Sequence, residues 1–161
     1  MNFQTMNKQR KFILIAAAVG IIGMFLPWVK ISIFGFEGGS VNGMHDKGIL
    51  VFLCFIGAGA VAYLGDQTKN LDKTFWFIAL ACGALATVMM LWFFLDMTGG
   101  GVSFLSIGFY LSALAAIGVL LAAYLFRSPT DSIKGGFDSL KHDIEEKTKN
   151  TNPPPPPPSQ P

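Results

Sequence analysis

Two histidines and two cysteines are the residues in this chain best suited to chemistry. His45 stands in the stretch MHDKG, beside Asp46, where imidazole and carboxylate could begin a metal site. A zinc centre needs three or four such ligands, and no third one stands nearby in sequence. His142 lies far along the chain, among the charges of the C-terminal segment. Cys54 and Cys82 lie within apolar runs and have no histidine near them to raise a thiolate nucleophile. Counted from the outer ends of their helices, they fall at different depths, which argues against a disulfide. They read as free thiols packed like small hydrophobes. No phosphate-cradling glycine loop and no lipidation signal is present. The glycines of GAGAVAYLG sit inside an apolar run and serve helix packing. The residues therefore point to no enzyme activity, no cofactor and no metal.

The elements that must carry these residues explain the lack of chemistry. Only 14% of the 161 residues are charged, against about 25% in ordinary globular domains. Four stretches contain no Asp, Glu, Lys, Arg or His: Phe12–Val29, Gly48–Gly65, Thr74–Leu95 and Val102–Phe126. Crossing a hydrocarbon core of about 30 Å takes about 17–25 apolar residues. The sequence predicts an all-α membrane protein built as a four-helix transmembrane bundle, with helices at about 12–29, 48–65, 74–95 and 107–126. A cleavable signal peptide is the other reading of the first run. That run is longer than a usual apolar region of a signal, and no small-residue cleavage site follows LPWVK.

Charge sets the orientation. Ten of the twelve Lys and Arg residues fall on one side of such a bundle: Lys8, Arg10, Lys11, Lys69, Lys73, Arg127, Lys134, Lys141, Lys147 and Lys149. Only Lys30 and Lys47 fall on the other. Basic loops face the cytoplasm, so both termini are expected there. The excess is too small and too mixed for nucleic acid; lipid bilayer is the expected partner. None of the four runs holds an ionisable residue of the kind that marks a transport path.

The chain divides into four segments. Residues 1–11 form a basic cytoplasmic N-terminus and 12–127 the membrane domain. In the first outer loop, Ile31 and Ile33 precede Phe34 and Phe36, and Gly38–Gly39 suits a hairpin turn. A small β-hairpin is expected there, with Phe34 and Phe36 as candidate contacts for an outer partner. Trp28 and Trp92 suit the interfacial aromatic belt. Small residues spaced four apart let helix backbones approach: Ala16 and Gly20, Ala58 and Ala62, Ala79 and Gly83, Gly118 and Ala122. They pack one bundle or join copies in a homo-oligomer.

Residues 128–150 form the third segment. Ile133, Phe137, Leu140 and Ile144 step by four, three and four, which places them on one face of an amphipathic helix. Pro129 suits its first turn, and Gly135–Gly136 weaken it. The last segment, 151–161, holds Pro153, Pro154, Pro155, Pro156, Pro157 and Pro158, a run that favours polyproline II. Such rods dock in aromatic grooves at low entropic cost. The apolar face and the prolines are the candidate binding element for a cytoplasmic protein.

The run GIIGMFLPWVKISIFG, then SVNGMHDKGILVFL and SIGFYLSALAAIGVLLAAYL, resembles a family of small four-span bacterial membrane proteins. The residues that carry the likeness are Pro27, Trp28, Ser40, Gly43, Gly48, Gly108, Tyr110 and Leu111, within residues 12–126. It implies a four-span fold and a bacterial inner membrane, and it carries no activity. The outline is also similar to the claudin shape, without the cysteine pair of that loop. Three functions fit the sequence: an anchor or adaptor acting through its tail, a small pore or transport subunit, and an envelope accessory acting through its outer loops.

Overall fold

The computed structural model describes residues 3–33, 36–45, 47–99, 104–128 and 132–151. Among these, five helices and a small antiparallel sheet appear in the order α1 (Lys8–Phe25), β1 (Pro27–Ile33), β2 (Phe36–Asn42), α2 (Gly48–Tyr63), α3 (Lys73–Gly99), β3 (Phe104–Leu105), α4 (Ile107–Leu125) and α5 (Ile133–Thr151).

The first helix differs at both ends from the expected 12–29. It begins at Lys8 because the Asn7 side chain accepts from the Gln9 N–H, capping the turn that carries the basic residues. It stops at Phe25 because Leu26 precedes Pro27, and a residue before proline is driven out of helical geometry. Leu26 is extended, with φ −76° and ψ 155°. The next residues become β1 rather than a further turn of helix. The other boundaries move less: α2 ends at Tyr63, not Gly65, where the residue takes a φ of +81°, and α4 ends at Leu125. The third helix is longer than expected at its C-terminal end, reaching Gly99.

The expected hairpin forms, with a different turn. Its closing pair is Ile33 and Phe36, not the flanks of Gly38–Gly39. That glycine pair instead falls where the register slips, between the Ile31–Gly39 and Ser32–Glu37 pairs. Gly39 takes a φ of 125° there, a conformation open to glycine. On the other edge of β1, Val29 pairs with Leu105 and Lys30 with Phe104, so the strand order is β2-β1-β3.

The first four helices pack as a closed ring, α1 on α2, α2 on α3, α3 on α4 and α4 back on α1. The small residues make this possible. A side chain at Gly20 would collide with the Phe55 ring, and one at Gly83 would come within 2.9 Å of the Leu120 backbone. Gly118 faces Ala16, while Ala58, Ala62, Ala79 and Ala122 are buried. Every one of these eight residues therefore lies in a contact between helices of the same chain.

A tryptophan plugs each end of the ring. Trp28 is 2% exposed, and its indole N–H donates to the Gly23 carbonyl at 3.0 Å. Phe93 and Phe109 stand edge-on to it, with ring centres 5.3 and 5.6 Å away. This corrects the interfacial placement expected for Trp28; Trp92 is the exposed one, with the Lys47 ammonium 5.2 Å above its ring. At the opposite end, buried Trp76 donates to the Ala123 carbonyl at 2.8 Å.

By length and composition, α3 and α4 are apolar enough to cross a membrane. The apolar helix α2 has 16 residues, and α1 carries Lys8, Arg10 and Lys11 in its first turn.

Candidate functional site

Three places in the fold gather polar groups or leave apolar side chains uncovered. The first is the end of the ring where α1 begins and α2 and α4 finish. The last carbonyls of a helix have no partner within it. Gln9 and Arg10, from the first turn of α1, supply donors to two such ends. The Arg10 guanidinium donates to the carbonyls of Ala62 (3.3 Å) and Leu64 at the end of α2, and of Lys69 (2.9 Å) in the following loop. Gln9 donates to the Ala123 carbonyl at 3.3 Å and accepts from the Leu71 N–H at 3.0 Å. Asn7 donates its N–H to the Gln67 carbonyl, and Asn70 bonds the Ser128 hydroxyl at 2.8 Å. Arg10 is 1% exposed and Gln9 is fully buried. Desolvation pulls the Arg10 pKa down, against the fields of Asp72 and Asp66. Most of these bonds run to backbone groups of other elements, so the cluster acts as a clasp between helix ends. In the sequence Arg10 reads as a topology signal alone; the one hint of this role is its place in the turn just after a capping Asn.

The second place is the opposite end, under the sheet. A cavity of about 280 Å³ opens between Trp28, Val41, Asn42, His45, Phe93 and Asp96. Lys47 and Asp96 form an exposed ion pair at 4.0 Å across its rim. His45 Nδ1 lies 3.3 Å from Asn42 Oδ1 in an exposed contact. No group of three His, Cys, Asp or Glu side chains among the described residues could hold one metal ion. Phe34 lies outside the described residues, and of Phe36 the backbone alone is described, as the first residue of β2.

Cys54 and Cys82 are free thiols on neighbouring helices, close enough to influence each other. The expectation of different depths is wrong. It counts from the outer ends, where α3 runs past α2. Counted from the loop that joins the two helices, the cysteines are equally far along.

The third place is α5. It is described from Ile133, and Pro129, expected in its first turn, lies outside the described residues. The Ser132 hydroxyl caps it by accepting from the Gly135 N–H at 3.1 Å. The glycine pair that weakens the helix in isolation has a packing role here. A side chain at Gly136 would come within 2.8 Å of Phe77 Cβ, so glycine lets α5 press against α3. Thr74 donates to the Asp143 carboxylate at 3.0 Å, and the Phe77 and Phe137 rings meet edge to face at 6.3 Å. Docked this way, α5 still leaves Ile133, Phe137 and Ile144 exposed, with Leu140 half-buried. Pro153 to Pro158 lie outside the described residues.

Comparison of the chain with family models, with curated proteins and with solved structures found no match.

Proposed function

We propose that this protein is a non-enzymatic four-span protein of a bacterial inner membrane, with both termini cytoplasmic, that recruits a soluble protein through α5 and the proline-rich end. The small four-span bacterial proteins that the sequence resembles are its proposed family.

Four spans are supported by the side chains that the ring leaves uncovered. Phe12, Ile22, Leu53, Ile56, Val88, Leu91, Leu114 and Leu121, two from each helix, are all exposed, Leu114 to 72%. Water does not tolerate such a continuous belt; lipid does. A core helix of a soluble protein is mostly buried, yet only 22% of the apolar window of α3 is buried. On this reading α1 and α2 are short spans, and the sheet and the basic first turn reach the interfaces. The Lys and Arg distribution sets the orientation.

The observation that carries the adaptor role is the state of α5. It is anchored to α3 by a glycine contact, and its apolar stripe is turned aside rather than consumed. A helix that lies on an anionic bilayer carries a basic polar face. Residues 133–151 balance Lys134, Lys141, Lys147 and Lys149 against Asp138, Asp143, Glu145 and Glu146. Mixed charge around an apolar stripe suits a protein groove better than a lipid surface. The pore reading fares worse: Trp28 and Trp76 close the two ends of a bundle whose interior is filled by alanine and aromatic side chains. The envelope-accessory reading keeps one observation in its favour, the open cavity beside His45 and Lys47.

The test is photocrosslinking in cells, with a photoreactive residue at Phe137, at Ile144 or, as the control on the opposite face, at His142. Adducts to one soluble protein from the first two positions, weaker after truncation beyond Asn152, are the expected result. Adducts to lipid alone, or equal yields from all three positions, would overturn the adaptor role.

A further inference from the structure

We infer that the furrow between α1 and α4 is a binding site for an anionic phospholipid of the inner leaflet, one acyl chain lying in the furrow and the headgroup phosphate meeting Lys8, Lys11 and Arg127. The inference rests on the four-span orientation proposed above and is independent of the adaptor role.

The furrow has a volume of about 310 Å³, at the lower end of the roughly 300–1,000 Å³ typical of ligand sites. Its floor is made of small residues, Ala16, Gly118 and Ala122, and its walls of Ile15, Leu121 and Leu125. The lining is almost wholly apolar, so only an apolar occupant gains by entering. Its extent selects a lipid chain over a helix. On α4 it runs from Leu114 to Phe126, about 18 Å at 1.5 Å per residue. That is close to one leaflet, half of a core about 30 Å thick. A partner helix would need a seam across both leaflets. The Phe12 and Phe126 rings stack at 5.3 Å and nearly parallel at one end of the furrow. They would block a straight helix there, while a flexible chain can bend past them.

Charge supplies the other half. Lys8 lies one turn before Phe12 on the same stripe of α1. Lys11 adjoins Phe12, and Arg127 follows Phe126 with its guanidinium 4.6 Å from the centre of the Tyr124 ring. Lys8 and Arg127 are exposed, and neither Lys8 nor Lys11 forms an ion pair among the described residues. Lys8 and Lys11 thus stand within about a turn of the end of the furrow at Phe12, and Arg127 directly follows its end at Phe126, on the side where anionic lipid is expected to meet basic residues.

The experiment places the full chain in nanodiscs of equal phosphatidylglycerol and phosphatidylcholine and reads retained lipid by native mass spectrometry. Retained lipid should be enriched in phosphatidylglycerol. Lys8→Gln, Lys11→Gln and Arg127→Gln should each reduce the enrichment, by about fivefold where the lost cation sits at the headgroup surface. Filling the furrow with Ala16→Leu should remove the retained lipid. Leu121→Trp does the same from the rim, away from the close α1–α4 contact, should the first variant fail to fold. Enrichment that survives both fillings, or equal retention of the two lipids by the unaltered chain, would overturn the site. So would a dimer that disappears when the furrow is filled, which would assign it to a second copy. A chain that does not enter the nanodisc would overturn the spans as well.

Discussion

Arg10 shows how much one side chain can hold together. Its planar fork reaches carbonyls at residues 62, 64 and 69, tying α1 to the end of α2 and to the loop beyond. A lysine is a point charge on a flexible stem and cannot span such a set. Replacing Arg10 by Met takes the donor from one buried acceptor, the Ala62 carbonyl, and from two part-buried ones, and a buried group left unpaired costs about 1–3 kcal/mol. A chain of this size loses about 2–4 °C of Tm per kcal/mol. We therefore expect Arg10→Met to lower the thermal midpoint of the purified protein in detergent, and Arg10→Lys to recover only part of the loss. Equal midpoints for Arg10, Lys and Met would show that the clasp contributes nothing. Ser112 is the contrasting case. Its hydroxyl is fully buried between α1 and α4 and finds no hydrogen-bond partner among the described residues.

At the scale of elements, the contact between α5 and α3 is set by one glycine. Gly136→Leu should lift α5 from α3, because the added carbons collide with the Phe77 side chain from its Cβ outward. The packing of the ring of four helices should be unaffected, because Gly136 lies on α5, outside the ring. Cysteines at Thr74 and Asp143, in a background without Cys54 and Cys82, report the contact. They should crosslink on oxidation with Gly136 in place and fail to do so in the leucine variant. Persistent crosslinking would mean that α5 is held elsewhere. This element also marks how far a sequence can be read. The four apolar runs and the stripe from Ile133 to Ile144 are legible, because each is a repeated local pattern. The break at Leu26–Pro27 is legible in principle as a helix stop, although the expected helix of 12–29 runs past it. The strand beyond it is not, since the path of a chain after a helix end depends on the strands that pair with it. The hairpin register, the depth of Cys82 and the burial of Trp28 are not local properties either. The depth of Cys82 is set by how far α3 overhangs α2, the register by the slip at Gly39, and the burial of Trp28 by the Phe93 and Phe109 rings packed against it, and no spacing records these.

The whole molecule is a ring closed by small residues, plugged by Trp28 and Trp76, clasped at one end and covered by a three-stranded sheet at the other. Its outer wall is apolar on all four helices, while its ends carry the charge. Such a surface requires two solvents at once, and this is the basis for the proposed spans. The claim most worth testing is that every one of α1 to α4 crosses the membrane, which places residues 40 and 42 outside and α5 inside. In a background without the native cysteines, a single cysteine would be introduced at Ser40, Thr68 or Lys141 and treated on intact cells with a membrane-impermeant maleimide. Labelling at Ser40 alone, with Thr68 and Lys141 reacting only after permeabilisation, is the result that four spans predict. Labelling of Thr68 or Lys141 in intact cells, or protection of all three alike, would contradict it.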